Sequence, residues 1–238
     1  MSFKIITLQF PNYFSVSYKN NKMRIILLLA FLINLSSCQE KKGTSKAIAT
    51  VIENTQQYAS EPIQNKTFAE KLSNAAIAII DPEVVYTPTY VGLKYPNGDV
   101  PPKTGVCTDV VIRAYRKLNI DLQKEVHEDM KANFSKYPKT WGLKSTDKNI
   151  DHRRVPNLEV FFKRKGEKLA VSQNPNDYKT GDLVTWMIGN KLPHIGIVTH
   201  LKSEDGKRPM IVHNVGGGQV LQDCLFSYTI VGHFRYGK

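Results

Sequence analysis

Cysteine is scarce, three in 238 residues, which excludes a disulfide-stapled scaffold, and none of the three stands in a CxxC pair. HExxH is missing as well, so a zinc centre built from His194, His213 and His233 or Cys107 lacks the short ligand spacing such sites use. GGGQ at 216–219 has no Lys-Ser/Thr after it and no strand-loop-helix setting, which makes it a turn rather than a phosphate cradle. The apolar stretch from Ile25 to Ile33 is too short to span a bilayer comfortably. No internal repeat is visible, and no concentrated basic run interleaves with aromatics, which argues against nucleic acid as a partner. Acidic residues are outnumbered, 21 against 33 Lys and Arg, for a net charge of +12.

What is present begins with MRIILLLAFLINLSSC, a basic residue, an apolar stretch and small residues before a cysteine, the shape of a signal peptide. Leu35-Ser36-Ser37-Cys38 resembles the bacterial lipobox, which implies cleavage before Cys38 and a lipid on its sulfur and amine. The expected organisation is a signal peptide over 1–37 with translation starting at Met23, a lipidated tether with a candidate helix over 38–64, and a catalytic domain over 65–238. Loss of Lys4, Lys19, Lys22 and Arg24 takes four from the 33 basic residues and leaves 29 against 21 acidic, a net +8. In a bacterial cell envelope, membrane-anchored and periplasmic or surface-exposed, such an excess suits anionic polymers.

Thr67 and Glu70 have capping-box spacing, and Phe68, Leu72, Ala75, Ala76 and Ile79 then share one face, predicting a helix docked on the domain. DPEVVYTPTYVGLKYPNGDVPPKTG reads as a long loop with short extended pieces. Val110, Val111, Ala114, Tyr115 and Leu118 give CTDVVIRAYRKLN a helical spacing, as Leu122, Val126, Met130 and Phe134 do for the next segment. Residues 135–157 are polar and proline-bearing, and a short helix follows from Leu158 to Lys165, ended by Gly166. From Gly181 the period changes to two, in the runs DLVTWMI, HIGIVTHL, PMIVHNV and TIVGHFRY. Helices first and strands afterwards predict an α+β domain with N-terminal helices packed on an antiparallel β-sheet.

With Cys38 assigned to lipid, Cys107 and Cys224 remain, and either they pair or a thiol is kept for chemistry. Cys107 stands at a helix start, where free N–H groups and the helix dipole favour thiolate. A cysteine nucleophile needs a histidine base whose second ring nitrogen is oriented by another polar group. If the strands of His194 and His213 pair antiparallel, the start of one lies beside the end of the other, and the imidazoles meet. His194 is then the base and His213 the orienting residue, with Asn214 as the alternative, since an amide oxygen orients an imidazole too. Asp151, His152, Arg153 and Arg154 are either a solvated loop or, if the loop with Trp141 overhangs the cleft, a carboxylate grip through Arg153 or Arg154.

GVCTDVVIRAY, GDLVTWM, HIGIV and IVHN resemble, in order and character, the pattern of NlpC-type peptidoglycan cysteine peptidases. There a helix-starting cysteine, a glycine-aspartate strand opening, a histidine on HxGI and a second histidine on the next strand form a papain-like site. More closely, the stretch from about Val91 to Tyr236, with HEDMKANFSKYP and NIDHRRVPNL, resembles the YijF-like family of secreted bacterial proteins of unassigned function. The resemblance implies a papain-like fold with Cys107 as nucleophile, His194 as base and His213 as orienting residue. It also implies an upstream tyrosine at the oxyanion, for which Tyr90 and Tyr95 are both candidates. The flanks depart from the peptidase pattern: Val106 precedes the cysteine and Thr108-Asp109 follow it, where aspartate and serine-glycine are usual. Asp109, Trp141, His152, Arg153 and Arg154 join the two tyrosines as candidate oxyanion or substrate-binding residues.

The expectation is a lipid-anchored envelope cysteine hydrolase, peptidase- or amidase-like, that cleaves an amide bond in peptidoglycan or its peptide fragments and uses no metal or other cofactor. Two alternatives share the scaffold: an inactive module binding cell wall or protein, and a thioester-forming acyltransferase.

Overall fold

The Thr67 hydroxyl accepts from the Glu70 N–H at 3.3 Å while the Glu70 carboxylate accepts from the Thr67 N–H at 2.7 Å, and this reciprocal cap opens α1 (Phe68–Ile77). These are the first elements of the computed structural model, which describes residues 66–237. The expected signal peptide, the cysteine expected to carry lipid (Cys38), and the expected tether and helix lie outside the described residues. Leu72, Ala75 and Ala76 form the buried face of α1.

Two short strands, β1 (Val85–Tyr86) and β2 (Thr104–Gly105), pair in parallel. The loop between them is strapped to α2 (Cys107–Arg116) by Arg113, whose guanidinium donates to the Asp99 carboxylate and to the Val100, Pro101 and Thr104 carbonyls. Cys107 through Ile112, Ala114 and Tyr115 are all buried, so α2 is enclosed on nearly every side, as a core helix is. In α3 (Leu122–Ala132), capped by Asp121, Leu122, Val126 and Met130 point inward. Phe134 falls beyond that helix, in a separate 3-10 turn, Phe134–Lys136. α4 (Val155–Lys165) starts earlier than the expected Leu158, because Pro156 fits a first turn that needs no N–H.

β3 (Glu167–Lys168), β4 (Leu183–Ile188), β5 (Leu192–Lys202), β6 (Pro209–His213), β7 (Val220–Gln222) and β8 (Thr229–Arg235) make one six-stranded sheet in the order β3-β8-β4-β5-β6-β7, every neighbouring pair antiparallel. The expected period-two runs supply β4, β5, β6 and β8; the edge strands β3 and β7 are additional. Leu183, Ile195, Ile197, Val212 and Phe234 bury one face against the helices, while Val184, Trp186, Val198 and Ile211 alternate to the other and close over Tyr178 and Leu225. The aspartate of the Gly181-Asp182 strand opening is structural: fully buried, it accepts from the Lys179 N–H, His233 Nε2 and Arg235 Nε, tying β4 to β8. Among the described residues no helix is long and apolar enough to cross a membrane.

Candidate functional site

Cys107 is the first residue of α2, where the leading N–H groups have no partner within the helix. Val106 ahead of it is extended, at φ −125°, and its N–H donates to the Asp109 carboxylate at 2.7 Å. Arg153 grips that carboxylate through Nε and Nη2, both at 3.0 Å, with each side chain 2% exposed. The Thr108 hydroxyl donates to the Arg153 carbonyl at 3.2 Å. Asp109 and Arg153, expected on the substrate or oxyanion side, instead brace the helix start from within.

Burial pushes the Cys107 thiol up to about 11; the N–H of Ile195, and those of Thr108 and Cys107 itself, pull the other way without winning, and the charge of Asp109 adds to the rise. The thiolate expected from the helix-start position is therefore not the resting state, because a residue 4% exposed loses more by desolvation than the dipole returns. Cys107 and Cys224 are both free, so the disulfide alternative does not form.

The β1–β2 ladder sets Tyr86 opposite Gly105, just ahead of Cys107. Burial first, then the charge of the Cys107 sulfur and a hydrogen bond to it, push the Tyr86 hydroxyl up to about 12. Tyr86, rather than the candidates Tyr90 and Tyr95, is thus the tyrosine beside the Cys107 sulfur. Tyr90 donates to Asp147 at 3.0 Å and accepts from Asn149 at 2.7 Å. Tyr95 lies edge-on to His127, with ring centroids 5.4 Å apart.

β5 opens at Leu192, so His194 lies inside the strand rather than on its first rung. Two residues on, a Cβ at Gly196 would meet Ile211 Cγ2 at 2.6 Å and the Val212 carbonyl at 3.1 Å. Its absence lets β6 press against β5 and carries His213 to His194. His194 Nε2 lies 2.9 Å from His213 Nδ1, and His213 Nε2 lies 2.7 Å from Gln222 Oε1 on β7. An amide oxygen only accepts, so His213 carries its proton on Nε2. Its Nδ1 then accepts from His194 Nε2–H, which leaves the lone pair of His194 on Nδ1. Burial and the neighbouring His213 push His194 down to about 3, and burial lowers His213 as well, so both rings are neutral near pH 7. The Ile195 N–H, next in the chain to His194, acts on the Cys107 sulfur, and among the described residues no hydrogen bond joins that sulfur to the His194 ring. A neutral thiol and a neutral imidazole with a defined lone pair suit proton transfer concerted with attack.

Asn214 does not reach His194, since its Oδ1 accepts from the Gly216 N–H at 2.9 Å. His152 is enclosed at 1% exposure and, pushed down to about 3 chiefly by burial, is a neutral interior ring rather than a cleft residue. Trp141 is 56% exposed with the Arg154 guanidinium 4.3 Å from its ring centroid. His233 is bonded to Asp182 and to the Ala170 carbonyl, and among the described residues no three His, Cys, Asp or Glu side chains are grouped to hold a metal ion. Tyr86, beside the Cys107 sulfur, and Gln222, bonded to His213, are the two neighbours of the candidate site that sequence reasoning missed. Each lies on a strand of two or three residues, too short to show a period; the one available signal was the turn at GGG that returns VLQ beside IVH.

The chain is 48% identical over 182 residues to the uncharacterized protein YijF of Escherichia coli (strain K12), across 74% of this chain and 88% of that protein. The family model described as a domain of unknown function (DUF1287) matches residues 73–236. Tyr86, Cys107, His194, His213 and Gln222 all lie within that span, and the chain belongs to the DUF1287 family.

Proposed function

We propose that this protein is a cysteine hydrolase of the papain-like, NlpC type that cleaves an amide bond in peptidoglycan peptides, held at the cell envelope by a lipid on Cys38. The observation that carries the reading is the chain Gln222, His213, His194, whose tautomers leave a lone pair on His194 Nδ1, one residue before the Ile195 N–H that acts on the Cys107 sulfur. The Cys107 S–H proton passes to that nitrogen as sulfur bonds to the carbonyl carbon. The oxyanion accepts from the Cys107 N–H and the Tyr86 hydroxyl. His194 then gives its proton to the leaving amine as the C–N bond breaks, and a water deprotonated by the same ring cleaves the thioester. That releases the acid and restores the thiol. During each half the imidazolium is steadied through His213.

Incubating wild-type protein and Cys107→Ala with purified muropeptides, with products read by mass spectrometry, tests this. New amine and acid termini in the wild-type digest alone are expected; identical product profiles reject the reading. The enclosed, neutral thiol favours a second reading, a binding module of the same fold without turnover. Iodoacetamide separates the two: in a hydrolase His194→Ala slows alkylation of Cys107, whereas in a binder the rate is that of a buried thiol whatever stands at position 194.

A further inference from the structure

Among the described residues, Arg154 differs from every other arginine. Arg113, Arg116, Arg153, Arg164, Arg208 and Arg235 each hold an aspartate at 3.1 Å or less, while Arg154 has no carboxylate partner. Its Nη1 is buried and makes no hydrogen bond, although a charged donor shut away from water ordinarily has an acceptor. The guanidinium instead lies over Trp141, 4.3 Å from the ring centroid. Trp141 adopts a left-handed φ of 67° and is 56% exposed, an uncommon backbone for a bulky residue that here presents an indole to solvent. The backbone that carries Arg154 is tied to the nucleophile's helix, because the carbonyl joined to the Arg154 nitrogen accepts from Thr108, the residue after Cys107. Arg153, the other basic candidate on this rim, is already committed to Asp109.

We infer that Arg154, held over Trp141, is the receptor for a carboxylate of the ligand, so that the site takes peptides bearing a free carboxyl group rather than neutral ones. The inference rests on the reading of Cys107 as a peptide-directed site. Contact with the indole restrains the guanidinium, and the N–H fork along its edge matches a planar carboxylate two bonds at a time. Nε and Nη2, which are not shut away as Nη1 is, form the edge that a ligand carboxylate meets.

The test uses the full chain carrying Cys107→Ala, with N-acetyl-alanyl-alanine as the acid and as the carboxamide. Binding is read by isothermal titration calorimetry, because the second of the chain's two tryptophans, Trp186, lies 5.8 Å from the His194 ring and emission would not report Trp141 alone. The acid is expected to bind at least tenfold tighter than the carboxamide, and Arg154→Gln to abolish the preference with the melting temperature unchanged. Arg154→Lys keeps the charge without the fork and is expected to retain part of it; should the glutamine variant melt early, the lysine variant decides, and an undiminished preference overturns the inference. Equal binding of acid and carboxamide, binding of neither, or a preference kept by a stable Arg154→Gln also overturns it. Muropeptide cleavage is scored apart. Acid preference without cleavage leaves the receptor standing and removes the hydrolase, and cleavage without preference does the reverse.

Discussion

Gln222→Met removes the acceptor at the outer end of the polar chain while keeping the side chain's length. The lost bond is 2.7 Å long, and a neutral hydrogen bond of this kind contributes about 0.5–1.5 kcal/mol. Gln222 keeps part of its surface in solvent, so water recovers some of this, and a stability loss of about 0.5–1 kcal/mol is expected. The larger effect is on protons. Without an acceptor at His213 Nε2, the tautomer protonated on Nδ1 becomes accessible. It donates to His194 Nε2 and drives the His194 proton to Nδ1, where the ring can no longer accept from the thiol. A change of about 1.4 kcal/mol in that balance is tenfold in equilibrium, so turnover and Cys107 alkylation are expected to fall about five- to tenfold. Cys224 Sγ, 3.5 Å from His213 Nε2, is the weak acceptor left, and adding Cys224→Ala deepens the loss, while Gln222→Glu keeps an acceptor and the wild-type protonation pattern. Long-range ¹H–¹⁵N NMR of the imidazoles reads which nitrogens carry protons, beside iodoacetamide kinetics. Wild-type tautomers and a wild-type alkylation rate in Gln222→Met would refute the reasoning.

Asp109→Ala leaves Arg153 buried without its partner and is expected to cost about 3–5 kcal/mol in urea unfolding; a loss below about 1 kcal/mol would show the pair to be solvated. Gly196→Ala forces Ile211 or the β6 backbone outward, for about 1–3 kcal/mol, and separates the histidines, seen as loss of their mutual hydrogen-bonded NMR signature. Tyr86→Phe is expected to lower turnover of muropeptides about a hundredfold with stability unchanged, and Tyr90→Phe to leave turnover alone; equal effects would return the oxyanion role to neither. His152 and His194, pushed down to about 3, and His213, also lowered by burial, are neutral when folded but take a proton near pH 6.5 when unfolded. The unfolded chain therefore binds more protons as the pH falls below 6.5, and stability falls with it by up to about 1.4 kcal/mol per pH unit for each ring, down to about pH 3 for His152 and His194. Urea midpoints from pH 7 to pH 4 check it, with His152→Gln flattening the slope.

Long periodic segments were legible, because a face that must be buried writes its spacing into the chain. The stripe of α1, the interior of α2 and the alternation of β4 to β6 follow from residue type alone, and with them the meeting of His194 and His213. Tyr86 and Gln222 were not legible, since a ladder of two or three residues is set by its partner strand rather than by its own pattern. Arg153 was misread for a related reason: whether a guanidinium faces solvent or a buried aspartate depends on a contact across 44 residues of chain. The state of Cys107 turned on a competition that sequence cannot weigh, a helix start against near-complete enclosure. Asp182 shows the converse, a motif residue whose work lies in holding strands together.

Gln222 sits on the outermost strand, whereas the two rings and the thiol that depend on it are enclosed by the packed interior. Exchange of one rim amide therefore resets the acid–base character of the centre without a compensating change in the densely filled layers beneath. Divergence among relatives has an inexpensive place to begin there, and a designer adjusting the working pH of this scaffold has the same starting point.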